Sequence, residues 1–256
     1  MNKNKSEISS KQFARSVDMT PEAYDDYFSE YPSDKRRAEY RARKAVELIG
    51  SNRGKALSVG AGNFGEADCI RDAGFDVDIC DISARAVDMA KKLGYNAFVA
   101  DVTKPIPEAG YDYIFCLEVL EHVTDPLKAL NNLVEALGPS GRLVISLPNE
   151  FNIYRRLAIL MGSPGIGGHE YHHLRFFDIN SARKLIAVAG LEVIGRKFAP
   201  LMPIRWKAIL PFGEFLKIIR PQLFALGSIW LLKPFYKSCK EEGTRVNVET
   251  QKQVRS

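Results

Sequence analysis

No apolar run in this chain of 256 residues reaches the roughly eighteen residues that a membrane-spanning helix needs. The longest uncharged stretch near the end, Pro221 to Leu232, is too short and opens on a proline. The first residues, Met1 to Glu7, are polar and lead into no apolar segment, so no secretory signal is expected and a cytoplasmic location is. Cysteine is scarce. Cys69, Cys80, Cys116 and Cys239 show no paired C-x-x-C spacing, which reads as reduced structural thiols rather than a disulfide framework. The net charge of +5 is mild and spread out, so no nucleic-acid partner is expected. There is no internal repeat. Histidine occurs at only two places, His122 and the group His169, His172 and His173.

What remains is ordinary globular composition with a clear order of elements. Residues 1–52 read as a helical lead-in, with helix starts at Thr20-Pro21 and Ser33-Asp34. Ala38, Ala42, Ala45, Val46 and Ile49 recur at helical spacing, and Arg36, Arg37, Arg41, Arg43 and Lys44 between them read as a solvated face. From residue 53 to 235 one main domain is expected. Its strands fall near 56–60, 75–80, 96–100, 111–117 and 142–147, and its helices near 64–73, 84–93 and 126–137. Ser83 and Asp125-Pro126 mark helix starts; Gly74 and Gly94 mark helix ends. The stretch Gly138 to Gly141 reads as a turn before the most apolar strand. Alternating strand and helix predicts a parallel sheet covered on both faces. After Pro148 the alternation stops. Residues 149–180 read as an insertion, 181–189 as a helix, 191–194 and 223–232 as two last strands with an apolar cover segment at 199–221 between them, and 236–256 as a disordered tail.

The stretch Ala56 to Gly65 ends an apolar run in glycines at positions 60, 62 and 65, and a helix-compatible segment follows. Glycine admits positive φ and carries no Cβ, so a ligand can lie against bare backbone. The free N–H groups of the next helix favour an anionic or polar ligand. Asp81 ends the next strand and can accept both hydroxyls of a ribose. This is a nucleoside-cofactor site in a βαβ unit. A nicotinamide dinucleotide and S-adenosylmethionine both fit these residues.

Further strings narrow the choice. Asp101 stands in Val99-Ala-Asp-Val102, and Tyr111 to Val123 reads YDYIFCLEVLEHV. With the glycine loop and Asp81, these resemble the class I S-adenosylmethionine-dependent methyltransferases, over about Lys55 to Leu232. The Tyr111 string is similar to the fourth strand of the ubiquinone-biosynthesis O-methyltransferases. The resemblance implies an α/β fold: a Rossmann-like, seven-stranded, mostly parallel sheet with helices on both faces, an antiparallel last strand and an N-terminal helical extension. It implies S-adenosylmethionine as cofactor, held by Gly60, Ala61, Gly62, Asp81, Ile82, Asp101, Val102 and Leu117. Two departures stand out. The acid usual two residues before the first glycine is Ser58, and the third glycine comes one place late, at Gly65 rather than Phe64. A nicotinamide-dependent oxidoreductase and a non-catalytic S-adenosylmethionine-binding partner protein are the alternatives.

Methyl transfer to a hydroxyl needs a base or a metal. Glu118, Glu121 and His122 have spacing i, i+3, i+4 and would share a face if the strand turns into helix. They are the candidate ligands of a divalent ion, Mg²⁺ first, and the resemblance implies the same triplet. His122 and His169 are the candidate bases. The acceptor is expected to be a small hydroxyl compound: a quinone-like phenol, or a lipid-linked or sugar hydroxyl. The sugar enters because the string His172 to Phe177 is similar to that of surface-polysaccharide methyltransferases. The amphipathic stretches Ile153 to Met161 and Pro203 to Arg220 would suit a lipophilic acceptor and peripheral membrane contact, or simply cover the core.

Overall fold

The computed structural model describes residues 35–60, 62–162, 173–200 and 210–235. The element order is α1 (Lys35–Ile49), β1 (Lys55–Val59), α2 (Gly65–Asp72), β2 (Asp76–Asp81), α3 (Ala84–Lys92), β3 (Asn96–Val99), β4 (Tyr111–Leu117), α4 (Pro126–Ala136) and β5 (Leu137–Pro148). It continues with α5 (Ile153–Leu160), α6 (Ile179–Val188), β6 (Leu191–Pro200), α7 (Leu210–Ile219), α8 (Pro221–Phe224) and β7 (Ala225–Pro234). The seven strands form one sheet in the order β3-β2-β1-β4-β5-β7-β6. The β1–β2, β1–β4, β2–β3 and β4–β5 pairs are parallel; β7 runs antiparallel to both β5 and β6.

Period-two alternation splits the core in two. Leu57, Ile114, Leu143, Trp230 and Leu232 face one side, against Leu130 and Leu133 of α4 and Ile186 of α6. Ala56, Phe115, Val144, Ile229 and Leu231 face the other, against Ala42 and Ala45 of α1, Ile70 of α2 and Val87 of α3. Strands buried on both faces explain the near-continuous apolar runs. The caps are those the residue types favour: the Ser83 hydroxyl accepts the Ala86 N–H at 3.0 Å, and the Asp125 carboxylate accepts that of Lys128 at 3.0 Å ahead of Pro126.

Three boundaries differ from the sequence reading, the first being β6, which runs over Leu191–Pro200 instead of ending at 194. Residues Gly138 to Gly141 make no free turn: β5 starts directly after α4, and the extra residues are absorbed where the β4–β5 register shifts between Tyr111 and Tyr113. The last strand starts at Ala225, because Pro221 opens the short α8 instead. The expected helix starts at Thr20 and Ser33, and the tail from 236, lie outside the described residues.

Candidate active site

In this sheet β1 lies between β2 and β4, so the chain runs off to opposite sides beyond their C-terminal ends and a crevice opens there. A cavity of ≈ 310 Å³ fills it. Gly60 turns the chain off β1 at φ +83° and donates its N–H to the Cys80 carbonyl at 2.8 Å; Gly62 sits at φ +50°. A Cβ on Gly60 would stand 3.2 Å from Val119 Cγ2, on the opposite wall. The spacing of the third glycine has a local explanation. Phe64 takes the left-handed conformation itself, at φ 63°, and buries its ring in the core. Gly65 needs no positive φ; it is small because a Cβ there would come within 3.1 Å of both Asn63 Oδ1 and Lys35 Cγ.

Gly60, Gly62, Asp81, Ile82, Asp101, Val102 and Leu117 all line this one cavity. Ala61 lies outside the described residues. Asp81 is buried at the tip of β2, where Oδ1 accepts the Ser83 N–H at 2.8 Å. Asp101 Oδ1 accepts from the Thr103 N–H at 2.9 Å and its hydroxyl at 2.7 Å. Burial would raise the Asp101 pKa, but the Thr103 donors and Lys104 outweigh it and hold the carboxyl below its usual range. Cys80 and Cys116 are fully buried, and burial pushes both thiols up, so neither is a nucleophile.

Two wall residues were not foreseen. Arg41 does not belong to a solvated face: it projects from α1 into the cavity and places Nε and Nη2 at 3.1 and 2.8 Å from Glu66 Oε1 on α2. The signal was present, since Arg41 directly precedes Ala42 on the margin of the buried alanine stripe. Burial opposes the Arg41 charge, yet Glu118, Glu66 and Glu121 outweigh it and push its pKa up. For Glu66 burial wins over Arg41, and its pKa rises to about 7.

The far wall carries Glu118, Val119 and His122. No helix follows β4 at once; the chain passes through a bend and turn, so Glu118, Glu121 and His122 do not share a helical face. Glu118 adopts φ 55°, and its Oε1 accepts the Ser146 hydroxyl at 2.8 Å. Glu121 is completely buried, and neither carboxylate oxygen has a hydrogen-bond partner among the described residues. Burial, with Glu118 nearby, pushes its pKa well above the ordinary value. The ring of His122 meets that of His173 edge to face at 4.8 Å. The groups the structure gathers are therefore Glu121, His122 and His173, with ligand atoms within 4.8 Å of one another. His169 lies outside the described residues.

This arrangement can be set beside known proteins. The family model described as "Methyltransferase domain" matches residues 34–195. The chain is 28% identical to the ubiquinone biosynthesis O-methyltransferase of Bordetella avium (strain 197N) over 173 residues, 62% of this chain and 70% of that protein. It is 29% identical to the protein of the same name from Actinobacillus pleuropneumoniae serotype 7 (strain AP76) over 192 residues, 66% of this chain and 79% of that one. In fold it is similar to a SAM-dependent methyltransferase from Archaeoglobus fulgidus, with a TM-score of 0.58 and 15% identity over 82% of this chain and 99% of the other. It is also similar to the magnesium protoporphyrin IX methyltransferase of Synechocystis PCC 6803 with bound SAH, at TM-score 0.54 and 15% identity over 78% and 83% of the two chains. The nicotinamide alternative loses ground on both counts: the family matched is another one, and the sheet closes with the antiparallel β7 where a dinucleotide fold carries a second mononucleotide-binding half.

Proposed function

The chain belongs to the methyltransferase-domain family, as a class I S-adenosylmethionine-dependent methyltransferase, and from that premise we propose that it methylates an oxygen of a small-molecule hydroxyl. The observation that carries the oxygen acceptor is the placement of His122 in the cavity wall opposite the glycine loop, backed by Glu121 and His173. S-adenosylmethionine supplies a methyl group already activated by its sulfonium. The protein must hold both partners in line and accommodate the proton the hydroxyl loses. Asp81 would accept the ribose hydroxyls and Asp101 would face the base, with Ile82, Val102 and Leu117 lining the same cavity. Gly60 and Gly62 leave the floor bare for the methionine end. Arg41 offers a cation for its carboxylate. Glu66 and Glu118 offer carboxylates for its ammonium, in place of the acid missing at the buried Ser58. The acceptor's proton leaves at the His122 end.

A divalent cation belongs to this reading only through a changed donor set. Glu121, buried with neither oxygen hydrogen-bonded among the described residues, fits one, and His122 and His173 would hold it with Glu121; Glu118 is not among the ligand atoms gathered there. Such an ion would lower the pKa of a bound hydroxyl.

A lipophilic acceptor is favoured by exposed apolar side chains on two helices that follow the strand ends: Leu157 and Leu160 on α5, Phe215, Ile218 and Ile219 on α7. Segment 201–209, including Trp206, lies outside the described residues.

The test is production of S-adenosylhomocysteine with panels of polyprenylated phenols, simple catechols and sugar hydroxyls. Turnover is expected with a phenol or sugar, and His122→Ala should lower it by a factor of about a hundred to ten thousand. Full activity in His122→Ala would remove His122 from proton handling. Transfer only to amines or thiols would remove the oxygen acceptor, and no transfer at all would favour a non-catalytic binding protein.

A further inference from the structure

We infer that His173, and not Glu118, completes a divalent-cation site with Glu121 and His122, and that Glu150 and Arg155 exist in part to hold His173 ready for it. The inference deepens the methyltransferase reading of this cavity and can fail separately from it.

Glu121 is the starting point. A fully buried carboxylate with neither oxygen hydrogen-bonded among the described residues is a costly arrangement, and it calls for a proton or a cation. Its side chain is aimed at two imidazoles: His122 Nε2 lies 4.0 Å from Glu121 Oε1, and one donor atom each from Glu121, His122 and His173 falls within 4.8 Å of the other two.

The surroundings of His173 carry the argument further. Its Nδ1 is 2.7 Å from Glu150 Oε1. The other Glu150 oxygen takes Arg155 Nη2 at 2.7 Å, and Glu150 is itself buried. A carboxylate on one ring nitrogen fixes the tautomer and turns the other nitrogen, Nε2, into the ligating atom; this is the outer shell that metal-bound histidines regularly have. The segment is also pinned to the turn after β4, because the Leu174 and Arg175 N–H groups both donate to the Glu121 carbonyl, at 2.8 and 3.1 Å. Three elements remote in sequence thus converge on one point.

Glu118 is not among the ligand atoms that the structure brings together at this point. Its backbone sits in the left-handed region and its Oε1 holds the Ser146 hydroxyl. The resulting set is two nitrogens and one carboxylate. Imidazole suits Zn²⁺, Fe²⁺ and Co²⁺, whereas Mg²⁺ prefers oxygen ligands. Ligands about 2.1 Å from a tetrahedral ion stand about 3.4 Å apart, so the three side chains need to close by about an ångström on binding.

Co²⁺ alone is the probe. The full-length, untagged protein, stripped with EDTA and checked as folded by circular dichroism, is titrated with Co²⁺ and followed by visible absorption and calorimetry. One equivalent should bind, with ligand-field bands of a nitrogen-containing site that Mg²⁺ at about a thousandfold excess does not displace. Glu150→Gln should weaken Co²⁺ about 10–100-fold, and His173→Ala by at least as much. Glu118→Gln should leave Co²⁺ affinity unchanged. The inference is overturned if the folded wild type binds no Co²⁺, if Mg²⁺ displaces it at similar concentration, or if Glu118→Gln abolishes binding while His173→Ala keeps it. Methyl transfer by a protein that binds no Co²⁺ would leave the methyltransferase reading standing and remove the cation alone.

Discussion

At the scale of single residues the site concentrates strain and buried charge. Phe64, in the glycine loop, and Glu118, in the cavity wall, are the two non-glycine residues at positive φ among those described. Such conformations cost on the order of 1–3 kcal/mol each and persist where surrounding structure holds them. Glu66 adds a buried carboxyl whose pKa is raised to about 7. Its sign is definite. A carboxyl that holds its proton more tightly when folded favours the folded state at low pH, and that advantage disappears as pH rises from the ordinary Glu value of about 4.3 to about 7. Glu66→Gln should therefore flatten this part of the stability profile, by up to about 3.5 kcal/mol at 1.36 kcal/mol per pKa unit. Urea unfolding of both proteins at several pH values measures it; parallel profiles would refute the burial effect. The glycines of this loop were legible because each has a steric reason. The φ of Phe64 was not, since nothing in the string Asn63-Phe64-Gly65 tells which residue takes the left-handed turn. Nor was the inward turn of Arg41, which depends on how closely the alanine face of α1 packs.

Elements were legible where residue type and local geometry agree. Ser83, Asp125 and the parallel strands fall where caps and apolar runs place them. The cap of α6 was missed, and it is among the better built. Asp178 accepts the Ser181 N–H at 2.6 Å, the Ser181 hydroxyl returns to the Asp178 N–H at 2.8 Å, and Gln222 on α8 donates to the same carboxylate at 2.5 Å. Burial alone would raise the Asp178 pKa, but the donors from Ser181 and Gln222 overcome it and lower it. Its contribution is thus present above the ordinary Asp value of about 3.9 and fades as pH falls through the lower folded value. Asp178→Ala should cost about 1 kcal/mol at neutral pH, roughly 2–4 °C in Tm for a domain of this size. The difference should shrink in acid. An equal deficit at pH 7 and pH 3 would show that packing, not the carboxylate, is what the mutant lost. The sequence hid this helix start because Phe176 and Phe177 precede it and its partner Gln222 is forty-four residues away.

For the molecule as a whole, the strand order and the crevice beside β1 follow from alternating elements, and Asp81 and Asp101 fell at strand tips as read. What stayed hidden are long-range meetings such as Glu150 with His173, which topology creates and local pattern does not announce. The same reasoning bears on the acceptor's route. Among the described residues no helix is long and apolar enough to cross a membrane. Yet Leu160 is 82% exposed on α5, and Phe215 and Ile218 are 59% and 69% exposed on α7, on a chain of net charge +5. Isolated exposed apolar residues mean little, but several on the two helices that follow β5 and β6 need a reason. If they dip into a lipid surface, apolar burial and attraction to anionic headgroups act together. Flotation with vesicles then has a defined pattern. The protein should rise with vesicles containing anionic lipid, rise less with neutral ones, and be released as salt increases. Changing Phe215 and Ile218 together to serine should weaken flotation without lowering turnover of a short, water-soluble acceptor. Protein that stays at the bottom of the gradient at low salt would remove the membrane from the account and leave a soluble acceptor, with these side chains as ordinary cover.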